Sequence, residues 1–517
     1  MGRNSTSMMK SAMRAASEGA MCAAMYVAII ATICAASACA VGPTYHRPAP
    51  VISDAFKEPP PDGWKTAQPN EGALRGKWWE IYNDPQLNQL EEQVAISNQN
   101  VIAALAQYRQ ARDQVRIARS GLFPTVSATP SIAVTRASST SSRSNVVATT
   151  SGSTSTGSTT TSGSVVSANS GVIVDYSLPV DVSYQADVWG SIRRGVAAST
   201  ATAQASAADL ENAKLMYQAQ LAQLYFQLHG LDGDADLLQR TVTAYQESLQ
   251  LTQDRFDVGV ASGADVAQAK AQLETARAQL LDSGVSRAQF EHAVATLVGK
   301  APADVAVPAV ILIAPPPPVP VGVPSALLER RPDVTAAERS VAAANEQIGI
   351  AKAAFFPVLT LAGSGGFEST SLAQWFTLPS RFWSVGPQLA ATLFEGGKRR
   401  AQVDLQEAAY DASVASYRQT VLSALQQVED QLAALRILER EAQVQNDAVA
   451  AAQESLAIAT EQYRAGTTDY LQVITTQTVA FQSQRAAIDI LTRRLTASVL
   501  LIEALGGGWD VSQLPPP

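Results

Sequence analysis

QIGIAKAAFFPVLTLAGSGG, residues 347–366, begins with the spacing of a helix and changes at Phe355-Phe356-Pro357 to the alternation of a strand. Residues 114–130, QVRIARSGLFPTVSATP, make the same change. The two stretches align as Gln114 with Gln347, Ile117 with Ile350, Ala118 with Ala351, Phe123 with Phe356 and Pro124 with Pro357. A junction that occurs twice indicates that the chain contains two copies of one structural unit.

The repeat continues beyond the junctions, because later motifs of the first half recur in the second half in the same order. The recurring motifs are WGSIRRG (189–195) with EGGKRRA (395–401), Glu247-Ser248-Leu249 with Glu454-Ser455-Leu456, Phe256 with Tyr463, Gly259 with Gly466 and Val266 with Val473. Only the first copy has an insertion, at 135–170, in which 22 residues are Ser or Thr. A segment with so few apolar residues cannot order itself by burial, so we expect a long surface loop there.

Each copy is predicted to hold two strands in which apolar side chains alternate with others. The predicted strands are 125–134, 172–188, 358–367 and 383–394. Their length matches a tilted transmembrane β-strand, although a soluble antiparallel sheet would show the same alternation. Open strand edges are not tolerated in lipid, and bacterial barrels have an even number of strands. Four strands per chain therefore predict closure by assembly, as a dimer or a trimer.

Long helices are predicted to follow the second strand of each copy, over 191–299 and 398–505. No proline interrupts the run from Ser191 to Asp257, although GLDGD at 230–234 is a possible break. The predicted tight turns between antiparallel helices are Gly259–Gly263 and Gly466–Asp469. Ala, Leu and Val occupy more than one helix face, as expected when helices have neighbours on both sides. The Phe-Pro junction is then the point where a water-exposed helix becomes a membrane strand.

The N-terminus has the composition of a secretory signal, with basic residues followed by the apolar run AAMYVAIIATICAASACA. An uncleaved transmembrane anchor is the alternative, because the uncharged stretch is nearly long enough to span a bilayer. Ala36-Ser37-Ala38 before Cys39 resembles the bacterial lipobox. We therefore expect residues 1–38 to be a signal peptide, and Cys39 to carry a covalent N-acyl diglyceride that anchors the chain to a membrane.

Charge and motif content argue against several functional classes. The formal net charge is −8, which gives no support to nucleic-acid binding. His46, His229 and His292 are isolated from one another, and the sequence shows no phosphate loop, metal-ligand cluster or nucleophile motif. EGGK at 395–398 is too short to cradle a phosphate and is predicted to be a strand-to-helix bend. The sequence therefore predicts a protein that is not an enzyme and needs neither a metal nor a dissociable cofactor.

Six motifs in one order resemble the outer-membrane factor family, specifically the TolC-like lipoproteins (NodT-type) of tripartite RND-type efflux systems. They are VGPTYHRP (41–48), KWWEIYNDPQLNQL (77–90), PSALLERRPDVTAAE (324–338), LFEGGKRRAQV (393–403), QYRAGTTDYLQV (462–473) and ALGGGW (504–509). The resemblance extends over nearly the whole mature chain.

This resemblance implies a mainly α fold with a membrane β-barrel, in which a homotrimer forms a twelve-strand barrel continuous with a long periplasmic α-helical barrel. The implied segments are a lipidated extended segment (39–76), a first repeat (77–313), a proline-rich linker (314–324), a second repeat (325–508) and a C-terminal tail (509–517). The protein would span the outer membrane and extend into the periplasm. It would bind a periplasmic adaptor protein and an inner-membrane RND-type pump, and conduct drugs or other toxic small solutes outward.

The family has a gate at the periplasmic helix tips. Tyr463 and Arg464 match the Tyr-Arg of the gate motif, whereas Thr475 stands where the family usually has an acidic residue. Asp469 or Asp265 is the alternative source of negative charge, and all of these residues would equally suit turns and coiled-coil packing without a gating role. The implied adaptor-docking tips are Gly259, Val260, Ala261, Ser262, Gly466 and Thr467.

Two other functions are left open by the sequence. A type I protein-secretion channel would share the duct architecture, but lipoproteins with these motifs more often serve small-molecule efflux. A coiled-coil lipoprotein without a channel would explain the helices and the lipid anchor. It would leave the two hairpins and their Phe-Pro entries unexplained.

Overall fold

The computed structural model describes residues 41–50, 52–53, 55–59, 76–136, 172–312, 314–319 and 324–514. The predicted signal peptide, the predicted lipidation at Cys39 and most of the Ser/Thr-rich insertion lie outside the described residues. The chain divides into two compact units. The strand unit comprises the described residues of 1–42, 117–194 and 349–401, and the helical unit those of 43–116, 195–348 and 402–517.

The bounds of the elements are as follows. The α-helices of the described residues are α1 (Pro85–Ser97), α2 (Gln99–Ser120), α3 (Ser191–Asp257), α4 (Gly263–Leu297), α5 (Leu327–Arg330), α6 (Pro332–Ala353), α7 (Lys398–Ala465) and α8 (Tyr470–Ala504). The strands are β1 (Thr125–Ala128), β2 (Ser131–Arg136), β3 (Val172–Ala186), β4 (Val358–Ser369) and β5 (Arg381–Ala390). Short 3-10 turns lie at Trp78–Tyr82, Pro302–Asp304, Pro324–Ala326, Leu372–Gln374, Leu378–Ser380 and Val511–Gln513.

The strand unit contains an antiparallel sheet in the order β1-β3-β4-β5, and β2 also pairs with β3. Rows of paired residues cross three strands. One row is Leu178, Phe367 and Arg381, the next is Val180, Gly365 and Trp383, and the third is Val182, Gly363 and Val385. β5 therefore lies at one edge of the sheet, and β1 and β2 together occupy a single strand position at the other edge.

The bounds of all four predicted strands differ from the observed ones: β3 ends at Ala186, β4 extends to Ser369 and β5 begins at Arg381. A proline accounts for the two largest differences. The strand predicted over 125–134 is divided into β1 and β2 at Pro130, because proline has no amide hydrogen to donate to the ladder. Pairing then resumes and extends to Arg136, which is paired with Val172. The strand predicted over 383–394 ends at Ala390, because its partner strand begins only at Val358, after Pro357 has ended the preceding helix.

α3 has 67 residues and α7 has 68, so each is on the order of 100 Å long. The possible break at GLDGD does not occur, because α3 is continuous through 230–234. Gly230 has a packing role instead. A Cβ on Gly230 would lie 2.4 Å from Oγ1 of Thr492 in α8, so glycine permits the two helices to approach each other closely.

The core of the helical unit is made where the long helices meet the N-terminal helix α1. Its largest fully buried side chains include Trp78, Leu87, Tyr225, Leu432 and Leu501. Truncating a buried Leu of this kind to Ala costs about 2–5 kcal/mol of stability. Farther along α3, buried alanines such as Ala201 and Ala208 permit close helix packing. In the described part of the chain, no helix combines the length and apolarity that crossing a membrane would require.

Candidate functional site

The sheet of the strand unit has one apolar face and one polar face. Because side chains alternate along each strand, the pairing register assigns every residue to a face. The apolar face carries Val126, Ala128, Ile132, Val134, Val172, Val174, Tyr176, Leu178, Val180, Val182, Tyr184, Ala186, Leu359, Leu361, Phe367, Trp383, Val385 and Leu389. Many of these side chains are exposed, and Trp383 is 80% exposed. So large an apolar surface indicates contact with lipid or with another protein surface.

The opposite face carries most of the polar residues of the sheet. They are Thr125, Ser127, Ser131, Thr135, Asp175, Ser177, Asp181, Ser183, Gln185, Thr360, Ser364, Glu368, Ser384 and Gln388. Its charged residues are the three carboxylic acids Asp175, Asp181 and Glu368, and no Lys or Arg lies on this face of the described strands. The alternation therefore separates a surface suited to hydrocarbon from a negatively charged surface suited to water.

The Phe-Pro junction of the second copy contacts the first copy through Trp189. The rings of Trp189 and Phe356 stack with centroids 4.5 Å apart, and Nε1 of Trp189 donates a hydrogen bond to the carbonyl of Pro357 at 2.8 Å. Aromatic rings with one polar atom favour the boundary between hydrocarbon and water. This contact ties together the points at which the two hairpins meet their helices.

The return from β5 to α7 is the predicted strand-to-helix bend. Gly396 and Gly397 have φ values of +62° and +87°, in the left-handed region that favours glycine. Within the same bend, Oε1 of Glu395 forms an ion pair with Nε of Arg399 at 2.6 Å. The glycines of EGGK are thus explained by backbone geometry.

The first helix tip, between α3 and α4, is closed by a capping box. Oγ of Ser262 accepts a hydrogen bond from the amide of Asp265 at 3.2 Å, and the Asp265 carboxylate accepts one from the amide of Ser262 at 3.0 Å. Gly259 has a φ of +77°. Val258 and Val260 are 74% and 64% exposed, so the tip presents apolar side chains to its surroundings.

The second helix tip, between α7 and α8, uses the same devices. Gly466 has a φ of +74°, and Oγ1 of Thr467 donates to the carbonyl of Gln462 at 3.0 Å. Asp469 caps α8 by accepting a hydrogen bond from the amide of Gln472 at 3.2 Å. Both acidic residues considered for the gate, Asp265 and Asp469, therefore bind backbone amides at helix N-termini.

Tyr463 is the centre of the packing between the two tips. It is 4% exposed and packs with Ala269, Tyr470, Val473 and Ile474. Its ring centroid lies 5.4 Å from that of Tyr470. Burial raises the pKa of Tyr470 to about 12, with a smaller contribution from Tyr463, so the Tyr470 phenol is neutral at physiological pH.

Arg255 of α3 contacts Tyr463 in two ways. Its guanidinium carbon lies 4.5 Å from the Tyr463 ring centroid, and Nη1 donates a hydrogen bond to the Tyr463 carbonyl. Sequence reasoning did not find Arg255, because the two residues are 208 positions apart and no local pattern marks the contact. It joins the end of α3 to the end of α7.

The other residues matched to the gate motif lie outside this cluster. Arg464 is exposed and forms an ion pair with Glu461 at 2.7 Å. Thr475 is exposed, and its hydroxyl donates to the carbonyl of Leu471 at 2.8 Å. The structure thus brings Tyr463 together with Arg255 and Tyr470, whereas Arg464 and Thr475 are on the surface of the helical unit.

A buried polar network joins α3 to α4 farther from the tips. Asp232 accepts hydrogen bonds from Nε of Arg287 at 2.7 Å and from the amide of Val310 at 3.2 Å, and its Oδ2 is 2.8 Å from Nδ1 of His229. His229 is fully buried, in keeping with a packing role. No cluster of three or more His, Cys, Asp or Glu side chains with the arrangement of a metal site is found within the described ranges.

Comparison with known proteins agrees with this architecture. The chain matches the family described as outer membrane efflux protein over residues 90–300 and 323–507. It is 31% identical to the probable efflux pump outer membrane protein TtgC of Pseudomonas putida, covering 91% of this chain and 93% of TtgC. It is 30% identical to outer membrane protein OprJ of Pseudomonas aeruginosa, covering 92% of this chain and 94% of OprJ.

A solved structure shows the same fold. The outer-membrane channel OprN superposes with a TM-score of 0.80 at 29% identity, covering 91% of this chain and 100% of that chain. The predictions of an outer-membrane factor and of a TolC-like fold are confirmed by these matches. Because the family match extends over most of the residues, the chain belongs to the outer membrane efflux protein family.

Proposed function

We propose that the chain is the outer-membrane exit duct of a tripartite efflux pump, through which drugs or other toxic small solutes pass passively to the exterior. The two-faced sheet carries this proposal, because it offers one surface to lipid and one to water. Family membership supports an efflux role, and TtgC, which this chain resembles, is named an efflux pump outer membrane protein.

The duct is proposed to be a homotrimer. One chain supplies four strand positions, with β5 at one edge and β1 with β2 at the other. Edges of this kind cannot remain open in lipid, so copies must pair edge to edge until the sheet closes. Three copies give a twelve-strand barrel, which is wider than the eight-strand barrels whose interior is filled by side chains. The polar faces then surround a water-filled passage.

The helix tips are proposed to supply both the gate and the docking site for a periplasmic adaptor of an RND-type pump. The buried cluster around Tyr463 holds the two tips together within one copy. If the contacts of this cluster were broken, the tips could move apart and the width of the passage would change. The apolar side chains exposed at Val258 and Val260 suit a protein partner. Asp469 and Arg464 are proposed to set the charge of the entrance, where Thr475 adds a neutral hydroxyl at the position that is acidic in the family.

Lipidation at Cys39 by an N-acyl diglyceride is proposed as the membrane anchor. Replacing Cys39 with Ser should abolish labelling by radioactive palmitate while the mass of the assembly in detergent stays unchanged. Undiminished labelling of the variant would refute the assignment.

Single-channel recording tests the duct directly. The full-length protein is purified in detergent, its mass is measured, and it is then added to a planar lipid bilayer. A trimer that gives discrete conductance steps supports the proposal. A well-folded protein that inserts but conducts no ions would favour the coiled-coil lipoprotein instead.

A further inference from the structure

A groove lies on the apolar face of the sheet, near the end where β4 and β5 are joined. It has a volume of about 610 Å³, and its lining includes Leu178, Val180, Gly365, Phe367, Arg381 and Trp383. A groove of this size lies within the range typical of ligand-binding sites. These six residues belong to two adjacent rows of the register, and Gly366, Phe382 and Leu378 complete the lining. Strands β3, β4 and β5 and the β4–β5 connection of a single copy therefore form the groove.

The groove exists because glycine occupies the middle strand where its neighbours are large. Gly365 is paired with Val180 on one side and with Trp383 on the other, and Gly363 in the next row is paired with Val182 and Val385. Gly365 lines the groove, and Gly363 continues the gap between large neighbours into the next row, about 7 Å away. This gap is called the furrow.

The backbone does not require these two glycines. A Cβ on Gly365 would meet the carbonyl of Phe382 at 3.6 Å and Cβ of Trp383 at 3.8 Å, and these are ordinary contact distances. By contrast, a Cβ on Gly366, on the polar face, would lie 2.0 Å from the carbonyl of Leu178. Gly366 is therefore needed for strand packing, whereas Gly365 leaves open a space that another side chain could fill. Glycine inside a strand often marks a bulge, a bend or the close approach of a ligand or another backbone, and the register is unbroken at Gly363 and Gly365, so no bulge lies there.

A single positive charge lies at one end of the furrow. Arg381 is in the row of Leu178 and Phe367, next to the row of Gly365. Its side chain is exposed, and it has no ion-pair partner in the part of the chain that the structure describes. The apolar face of the described strands carries one other charged residue, Arg136, which lies at the end of β2, and it carries no carboxylate.

The two arginines lie at the end of the sheet opposite to the one at which the chain enters β4 from the Phe-Pro junction. β4 begins at Val358, directly after the α6 junction, and Arg381 is paired with Phe367 near the other end of β4. If the helices are periplasmic, as the proposed function requires, this end of the apolar face meets the outer leaflet. Phosphate is the anion that arginine binds best in the head-group region, because the guanidinium donates two parallel hydrogen bonds to it.

We propose that the groove binds an acylated lipid of the outer leaflet that carries phosphate on its head group. The phosphate pairs with Arg381, and the indole of Trp383 lies at the level of the head group. One acyl chain lies along the furrow at Gly365 and Gly363, between Val180 and Trp383. This inference rests on the proposed membrane orientation of the duct, and it adds a lipid site on the outer surface of each copy.

Native mass spectrometry of the full-length protein tests the site. The protein is delipidated in detergent and incubated with lipid A that carries both phosphates, and the number of bound lipids is counted as the lipid concentration rises. Arg381→Gln removes the charge, and Gly365→Leu fills the furrow. Each variant should bind lipid A about tenfold more weakly, and lipid A without its phosphates should bind the natural protein about tenfold more weakly.

Two variants serve as matched controls. Gly386→Leu places the same side chain on the polar face, where a Cβ has no neighbour within 4 Å, and Arg116→Gln removes an exposed arginine of the helical unit. Both should bind lipid A as the natural protein does. Unchanged binding by Arg381→Gln and Gly365→Leu, or an equal loss in Gly386→Leu, would overturn the site.

The conductance of the same preparations separates this inference from the proposed function. Arg381→Gln and Gly365→Leu lie on the face directed away from the passage, so their single-channel conductance should equal that of the natural protein. Lipid binding that depends on Arg381 in a protein without conductance would support the site and contradict the duct. If both variants conduct normally and bind lipid A as strongly as the natural protein, the lipid site is contradicted and the duct is not.

Discussion

The guanidinium of Arg255 lies over the ring of Tyr463, 4.5 Å from its centroid, and also donates a hydrogen bond to the carbonyl of the same residue. The two residues come from different helix tips, one at the end of α3 and the other at the end of α7. A cation–π contact and a hydrogen bond between the same pair resist separation of the tips. The pair is therefore a clamp within one copy.

Replacing Arg255 with Met should weaken this clamp and make the channel open more often. A cation–π contact and one hydrogen bond together contribute about 1–2 kcal/mol, so the ratio of open to closed time should rise roughly tenfold. Single-channel recordings measure that ratio. Arg240→Met, which removes an exposed arginine from the same helix, is the control and should leave it unchanged. Equal open times in the natural protein and in Arg255→Met would show that the clamp does not restrain the gate.

The three acids of the polar face should make the passage prefer cations. Asp175, Asp181 and Glu368 share this face with no Lys or Arg of the described strands. Carboxylates of one sign along a narrow passage concentrate cations and exclude anions. Replacing all three with Asn or Gln should lower the ratio of potassium to chloride permeability on the order of severalfold, as measured from reversal potentials in a KCl gradient. Gln185→Asn, a neutral change on the same face, is the control. A reversal potential that stays the same in the triple variant would place the selectivity elsewhere.

Glu91 should destabilise the helical unit as the pH rises. It is fully buried in the core, and both carboxyl oxygens lack a hydrogen-bond partner. Burial raises its pKa well above the ordinary value, so the folded state keeps the proton after the unfolded state has lost it. The stability it contributes is present below the unfolded pKa and declines by about 1.4 kcal/mol for each pH unit until the folded pKa is passed.

Thermal denaturation between pH 4 and pH 8 measures this effect. Glu91→Leu should raise the melting temperature, and the gain should be larger at pH 8 than at pH 4. Glu92→Gln is the matched control, because Glu92 is half exposed and forms a surface ion pair with Lys77 that contributes little. A gain that does not depend on pH would mean that Glu91 does not titrate in the core.

The stability contributed by the buried network around Asp232 should depend on Arg287 and should be lost at low pH. Burial alone would raise the pKa of Asp232, but hydrogen bonds from His229, Arg287 and the Val310 amide outweigh burial and lower it. The network therefore stabilises the fold above the unfolded pKa, and this contribution is lost as the pH falls through the lowered one. Arg287→Met should cost about 3 kcal/mol at pH 7, because it leaves a buried carboxylate without its cation.

Chemical denaturation at pH 7 and at pH 3 tests this dependence. The cost of Arg287→Met should shrink at pH 3, where Asp232 is protonated in the variant. Arg277→Met, which removes an arginine from an exposed ion pair on the same helix, should change the free energy of unfolding by less than about 0.5 kcal/mol. If both substitutions lower the free energy of unfolding equally, the buried network contributes no more stability than an exposed ion pair.

Local patterns were enough to predict most elements of this fold. The change from helical spacing to alternation at Phe-Pro depends on residues close together in the sequence, and the repetition of that change indicated two hairpins. The break at Pro130 was missed although the proline was visible, because the alternation continues across it. Gly230 and Gly233 indicated a possible break from their type alone. The role of Gly230 is close packing against α8, which only the structure shows.

The contacts of the candidate site could not be predicted in the same way. Arg255 and Tyr463 are 208 positions apart, and Trp189 and Pro357 are 168 apart. Neither pair leaves a periodic signal, because each depends on how distant helices or strands pack. The furrow at Gly365 likewise depends on the register of three strands, which sets glycine between Val180 and Trp383.

The most direct test of the duct compares two neighbouring positions of β3. Asp181 lies on the polar face and Val182 on the apolar face, and the chain's own cysteines all lie at or before Cys39. Each is replaced singly with Cys, and a charged, membrane-impermeant thiol reagent is applied to the protein in lipid vesicles and in a planar bilayer. The prediction is that Cys at 181 is labelled and its labelling lowers the conductance, whereas Cys at 182 is labelled only after the lipid is dissolved. Labelling of 182 as fast as 181 in intact vesicles would contradict a passage lined by the polar face.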